Sequence, residues 1–158
     1  NDWILLNKIA SIEKPVIVSL GGISLKDIDD LVTFFDKRNI PLAMNHCIAI
    51  YPNKDHDLQL NQIEFLKNRY PNHVIGFSTH EQGDSADSML ISYAKGARTF
   101  EKHIDIKDDV NEISKYSSIP DEIDNWFKSW HKAKIMCGNS SNDRIISTKE
   151  EKHFLDNL

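Results

Sequence analysis

A histidine follows a polar residue at a two-residue step in two short runs of this chain, Ser78 with His80 and Glu101 with His103. Alternate side chains of a strand share a face, so Glu101 and His103 point one way while Phe100 and Lys102 point the other. If the two strands are neighbours, two imidazoles and a carboxylate converge, which suits a divalent ion such as Mn2+ or Mg2+. The same spacing also suits histidines that only hydrogen-bond at strand ends. Glu101 is harder to dismiss, because a carboxylate in an otherwise apolar strand is costly unless it is paired or sits in a wet site. An ion pair with Lys102 on an edge strand would also satisfy it. Ser19 ends another apolar run. Asn45, His46 and Cys47 end a further one and are expected as core or supporting residues. His56, His73, His131 and His153 fall in loops or helices and are expected at the surface.

The elements that would position these residues repeat along the chain. An amphipathic stretch (Trp3, Ile4, Leu6, Ile9, Ala10) opens it. Four strand-like runs then follow, at 15–20, 42–48, 74–79 and 98–104, the first of them short and continuously apolar as a strand buried on both faces requires. Each run precedes a helical stripe. Ser24, three residues before Asp27, caps the first stripe (Leu25, Ile28, Leu31, Val32, Phe35). Leu60, Ile63, Leu66 and Tyr70 form the second. The third starts near Ser85 and ends at Gly96. The fourth sets Ile123, Trp126, Phe127, Trp130 and Ala133 on one side and closes near Gly138. The Trp126 and Trp130 pair is expected to pack on the sheet. Strand starts lie roughly 25 to 32 residues apart, a spacing that suits parallel strands joined by crossover helices.

Four βα units accept either a doubly wound sheet or half of a (β/α)8 TIM barrel. The turn SLGGIS lacks the GxGxxG spacing of a dinucleotide fold. Residues 1–138 read as the partial barrel and 139–158, polar and weakly periodic, as a linker or tail.

Composition narrows the functional classes. With 158 residues and 40% hydrophobic content, one domain can bury a core. The 19 basic and 24 acidic residues are mixed along the chain, leaving no basic stripe for a nucleic acid backbone. No run approaches the ~20 apolar residues of a membrane helix. Cys47 and Cys137, far apart, form neither a disulfide framework nor a metal pair and are expected as buried thiols in a reducing cytoplasm. The chain opens on its amphipathic pattern without a methionine or a signal sequence, as a piece of a longer polypeptide would.

Four segments together resemble the barrel domain of the N-acetylneuraminate (sialic acid) synthases. KPVIVSLGG (Lys14 to Gly22) stands against the family's KPxIxSTG. HCIAIYP (His46 to Pro52) is followed by LQLNQIEFLK. GFSTHEQG (Gly76 to Gly83) is similar to GxSDHxxG, and FEKHI (Phe100 to Ile104) to IEKHF. The resemblance implies the second half of a TIM barrel in a carbohydrate-biosynthesis transferase, a homodimer in the full-length parent. The activity implied joins phosphoenolpyruvate to an N-acetylated amino sugar with the help of Mn2+ or Mg2+. It also implies that His80 and His103 are the metal ligands, that Glu101 is the acidic residue beside the metal, that Ser19 and Ser78 hold phosphate, and that Tyr51 contacts the sugar. The family's first four strands would precede Asn1, and an antifreeze-like domain would follow Leu158.

Three places depart from the pattern. Thr79 replaces the aspartate of SDH, removing an acceptor for a metal histidine. Ala49 stands where an asparagine helps hold the phosphate. DIKDDVNEISKYSS replaces a glycine-proline-aspartate loop that contacts the sugar. A non-catalytic barrel relative that binds a phosphorylated ligand or partner is the alternative these departures admit, with another metal aldolase on the same fold a third.

Overall fold

Pro15 and Pro41 each lead into a run rich in branched or apolar residues, and in the computed structural model both runs are strands. The structure describes residues 2–83, 85–107, 112–138 and 148–157. The strands are β1 (Val16–Ser19), β2 (Leu42–Cys47), β3 (Val74–Thr79), β4 (Thr99–Ile104) and β5 (Ser117–Ser118), in that order in one sheet and all parallel. Among the described residues the helices are α1 (Trp3–Ala10), α2 (Leu25–Asp36), α3 (Asn61–Arg69), α4 (Ala86–Ala94), α5 (Pro120–Cys137) and α6 (Lys149–Asp156), with a short 3-10 turn at Asp55–Asp57. The strand order follows the chain order without a switch point, so successive crossovers carry the sheet steadily around as in half a barrel.

Local chemistry sets the helix starts. The Asp27 amide donates to Ser24 Oγ at 3.2 Å, and the Ser24 amide donates back to Asp27 Oδ2 at 3.4 Å, so two otherwise orphaned amides are satisfied. Helix α5 begins on Pro120, and Glu122 accepts from the Ile119 amide at 3.0 Å. The helices α2 and α3 are tied by Asp29, which receives Arg69 at 2.7 Å and Tyr70 Oη at 2.7 Å. Those two donors, Arg69 first, hold the Asp29 carboxyl below its ordinary range.

The core lies on one side of the sheet only. Leu42, Met44, Ile75 and Phe77 project outward from β2 and β3 onto Ile28, Leu31, Val32 and Phe35 of α2 and Ile63 and Leu66 of α3. Phe100 projects the same way and meets Trp126 edge-on at 6.1 Å. The opposite face carries Ser19, Asn45, Cys47, Gly76, Ser78, Thr99 and Glu101. A sheet that is apolar outside and polar inside is built to hold something within its curve.

Several expectations need correction. His73 is not a surface residue: its side chain is only 11% exposed, between Asp36 and the Leu42 carbonyl. Cys137 is exposed rather than buried, because it falls in the last turn of α5. Phe127 turns outward from α5 and is 54% exposed, while Trp126 alone of the tryptophan pair is fully buried. Of the segment read as a linker or tail, residues 139–147 lie outside the described residues, and α6 follows, started by Thr148 Oγ1, which accepts from the Glu151 amide. The short strand β5 had no sequence signal.

Among the described residues β1 pairs with β2 alone, and Ile17, on the inner face, is 59% exposed. An open edge beside an uncovered apolar residue favours pairing with another chain. The 158-residue chain is therefore expected to run larger than its 18.2 kDa monomer in light scattering, and Ile17→Lys to shift it toward monomer. A wild-type monomer at micromolar concentration would contradict this.

Candidate functional site

The inner face of the sheet is organised in layers from its floor to the carboxyl ends of the strands. On the floor, Thr99 Oγ1 donates to Asn45 Oδ1 at 2.8 Å across Gly76. Only glycine leaves room for that bond, since a Cβ at position 76 would lie 2.0 Å from Thr99 Oγ1 and 2.1 Å from Asn45 Oδ1.

The next layer contains Ser19, Cys47, Ser78 and Glu101. Ser78 Oγ donates to Glu101 Oε1 at 2.9 Å, and Ser19 Oγ reaches the same oxygen at 3.4 Å. Glu101 is thus satisfied by hydroxyls from β1 and β3, and Lys102 leaves on the other face. There Lys102 Nζ donates to the Glu81 carbonyl at 2.7 Å and to Ser85 Oγ at 2.9 Å. The edge ion pair between Glu101 and Lys102 does not form, because the strand alternation separates them. Burial pushes the Cys47 thiol up, against a hydrogen bond from Ser78 and with the Glu101 charge reinforcing it.

At the top, the His80 and His103 rings lie 5.3 Å apart between centroids. Tyr51, from the loop after β2, covers His80 at 4.0 Å, and Tyr116 stands edge-on to His103 at 5.1 Å and to Tyr51 at 5.3 Å. His80 is buried, and its Nδ1 faces the Ile48 carbonyl at 3.2 Å. A carbonyl accepts only, so Nδ1 carries the proton and Nε2 keeps its lone pair for a ligand. Burial, above all, holds the His80 imidazolium below its ordinary range, and the His103 charge adds to this; the Ile48 carbonyl and Glu101 oppose it. The ring is therefore neutral near pH 7, as metal ligation requires.

Thr79 does not take the role of the aspartate it replaces. It points away from the cluster and donates to Glu81 Oε2 at 2.7 Å, where Ser88 also donates at 2.6 Å. The Ile48 carbonyl is the acceptor that orients His80 instead.

Sequence reasoning missed Asn53 and Tyr116. Asn53 sits in the turn after Tyr51 and Tyr116 next to β5. Neither shows any periodic signal, and only the aromatic and amide types in a strand-end loop could have hinted at them.

The residues present offer a metal two imidazole nitrogens. Among the described residues no group of three or more His, Cys, Asp and Glu converges on one point. The pair fits an ion that completes its coordination with oxygen from water or substrate.

His46, expected as a core or supporting residue, is a core one: it is buried on the outer face, its Nε2 2.8 Å from the Leu58 carbonyl and its ring stacked on Phe77. Burial lowers its pKa from 6.5, with the Leu58 carbonyl opposing. The unfolded state then binds more protons than the folded state between the depressed value and 6.5, so stability is full above 6.5 and lost as pH falls through that window. His80 contributes with the same sign. Urea unfolding from pH 7.5 down to 5 should show this decline, and His46→Gln should flatten part of it; an unchanged slope would contradict the assignment.

Parallel strands with helices outside and a polar cluster at their carboxyl ends define the (β/α)8-barrel class of protein, of which this chain forms half. Residues 1–142 match the NeuB family, and the chain belongs to it. It is 34% identical to the N-acetylneuraminate-9-phosphate synthase of Drosophila melanogaster over 65% of this chain and 27% of that protein. It is 30% identical to a pseudaminic acid synthase of Campylobacter jejuni over 90% of this chain and 41% of that protein. The solved structure of an N-acetylneuraminic acid (sialic acid) synthetase from Leptospira borgpetersenii superposes with a TM-score of 0.86 at 28% identity, covering 99% of this chain and 54% of that one. The chain thus spans about a quarter to a half of the length of these relatives. It is a sialic acid synthase-like member of the family. Among the described residues no helix is long and apolar enough to cross a membrane.

Proposed function

We propose that this chain carries the metal and acceptor side of a synthase site that condenses phosphoenolpyruvate with the aldehyde of an N-acetylated amino sugar, releasing a nonulosonic acid and phosphate. The observation that carries the reading is the meeting of His80 and His103 at adjacent strand ends directly above Glu101. A divalent ion held by the two imidazoles would supply Lewis acidity to the aldehyde oxygen. Nitrogen donors favour Mn2+ over Mg2+, which prefers an all-oxygen shell.

The chain's own groups fill the remaining roles. Tyr51 offers an exposed ring face and a hydroxyl to the sugar. Ser19 and Ser78 are hydroxyl donors at two strand ends and turn from Glu101 to an anionic substrate oxygen when one is bound. Glu101 is the carboxylate within reach of the reacting atoms and holds or accepts a proton there. Carbon 3 of phosphoenolpyruvate bonds to the aldehyde carbon, whose oxygen is protonated. Water adds to carbon 2, and phosphate leaves by C–O cleavage, so the product carries a keto group. Two free thiols, Cys47 and Cys137, accord with a reducing, cytoplasmic setting.

The test is an assay of the purified chain with phosphoenolpyruvate, Mn2+ and a panel of N-acetylated hexosamines, alone and mixed with the upstream half of a NeuB relative. Phosphate and 2-keto acid are expected only from the mixture, since cationic contacts to phosphoenolpyruvate are strong terms that the described residues here do not supply. Absence of both turnover and Mn2+ binding in a mixture that has assembled would overturn the reading.

A further inference from the structure

We infer that Asn53 is a positioning residue that sets the tautomer and the aim of His80. The inference rests on His80 being a ligand of the site proposed above, but its geometry stands without a metal. Asn53 is 6% exposed although it lies in a loop, so its amide must find partners within the protein. It finds them on both sides. Asn53 Oδ1 accepts from the His80 amide at 3.0 Å, while the Asn53 backbone amide donates to the His80 carbonyl at 2.9 Å. The side chain thus stands in for a strand backbone and extends the β2 to β3 pairing past Thr79. Asn53 Nδ2 donates to the Ile50 carbonyl at 3.0 Å and the Ile48 carbonyl at 3.4 Å.

This arrangement fixes which end of the amide is which, because the reverse orientation would set the NH2 against an N–H and the oxygen against two carbonyls. The Ile48 carbonyl is the link to chemistry. It accepts from the Ile50 amide at 2.9 Å and from Asn53 Nδ2 at 3.4 Å, and it faces His80 Nδ1 at 3.2 Å. One side chain therefore ties the backbone that carries His80 to the acceptor that chooses its protonated nitrogen. Partners that orient a metal histidine in this way are typically worth 10–100-fold in metal affinity. The same turn carries Tyr51 over the His80 ring.

The experiment compares the wild-type chain with Asn53→Ala and Asn53→Asp, labelled with 15N-histidine. Asp keeps the acceptor for the His80 amide and sets a carboxylate oxygen, in place of the donor, against the Ile48 and Ile50 carbonyls, so it breaks the link to the carbonyl while the backbone link stays. Imidazole 15N shifts without metal should report His80 as the Nδ1–H tautomer in wild type and a mixture in both variants. Mn2+ titration should show an affinity about 10–100-fold weaker in the variants. Far-ultraviolet circular dichroism checks folding, and if Asn53→Ala unfolds, Asn53→Asp decides alone. A wild-type tautomer in a folded variant would overturn the inference. A wild type with the Nδ1–H tautomer and no Mn2+ affinity would instead overturn the metal reading and leave the positioning role intact.

Discussion

Replacing His103 by alanine is expected to weaken Mn2+ binding by more than about 100-fold while leaving the fold in place. The size follows from the donor set: His80 and His103 are the protein nitrogens at the strand ends, and no third acidic or thiol donor joins them among the described residues. Changing a group that merely orients a ligand already costs 10–100-fold, so removing one of two ligands exceeds that range. The fold is spared because His103 is exposed on the inner face of β4 and its ring touches Tyr51 and Tyr116 rather than the core. Substitutions away from core and network features usually change stability by about 0.5 kcal/mol or less. His80→Ala is the less clean experiment, because His80 is buried and bonded to Ile48. Calorimetric titration with Mn2+ and thermal unfolding of His103→Ala check both halves of the expectation. Unchanged affinity in the folded variant would remove His103 from the site.

Gly76→Ala is expected to destabilise the chain by about 3 kcal/mol or more, or to prevent folding, although it adds one methyl group. The new Cβ would sit 2.0 Å from Thr99 Oγ1, 2.1 Å from Asn45 Oδ1 and 2.5 Å from the Thr99 carbonyl oxygen. A hydroxyl can rotate. The carbonyl cannot, because Thr99 is registered against Gly76 in the β3 to β4 ladder. Relief must come from parting the two strands, which also separates Ser78 from Glu101 one step further along. Thr99→Ala alone should cost roughly 1 kcal/mol for its hydrogen bond, and adding it to Gly76→Ala should rescue little, since the backbone clash persists. Urea unfolding of the three variants measures this. A double variant as stable as Thr99→Ala would show that the clash lies with the hydroxyl alone.

Much of this protein was legible in its sequence. The first three strands follow runs that open on apolar residues after Pro15, Pro41 or a helix end, the first helix stripe is announced by Ser24 and Asp27, and the alternation of Glu101 and His103 against Phe100 and Lys102 is a property of any strand. These features depend on neighbours a few residues away, so local pattern suffices to determine them. The motif resemblance added the barrel and the identities of the strand-end residues.

What the tertiary structure decided depends on partners far apart in the chain. Ser117–Ser118 becomes β5 because it pairs with His103 and Ile104 and because Ser118 Oγ donates to the Gly83 carbonyl at 2.7 Å, none of which shows in two serines. Glu101 finds hydroxyls on Ser78 and Ser19, 23 and 82 residues earlier, rather than its charge partner on Lys102, one residue later. His73 is half-buried between Asp36 and Leu42, Thr79 faces away from the cluster, and Asn53 meets His80 across 27 residues. The physical reason is common to all of them. Periodicity fixes which face a side chain takes, but the curl of the sheet and the return of each loop fix what that face meets.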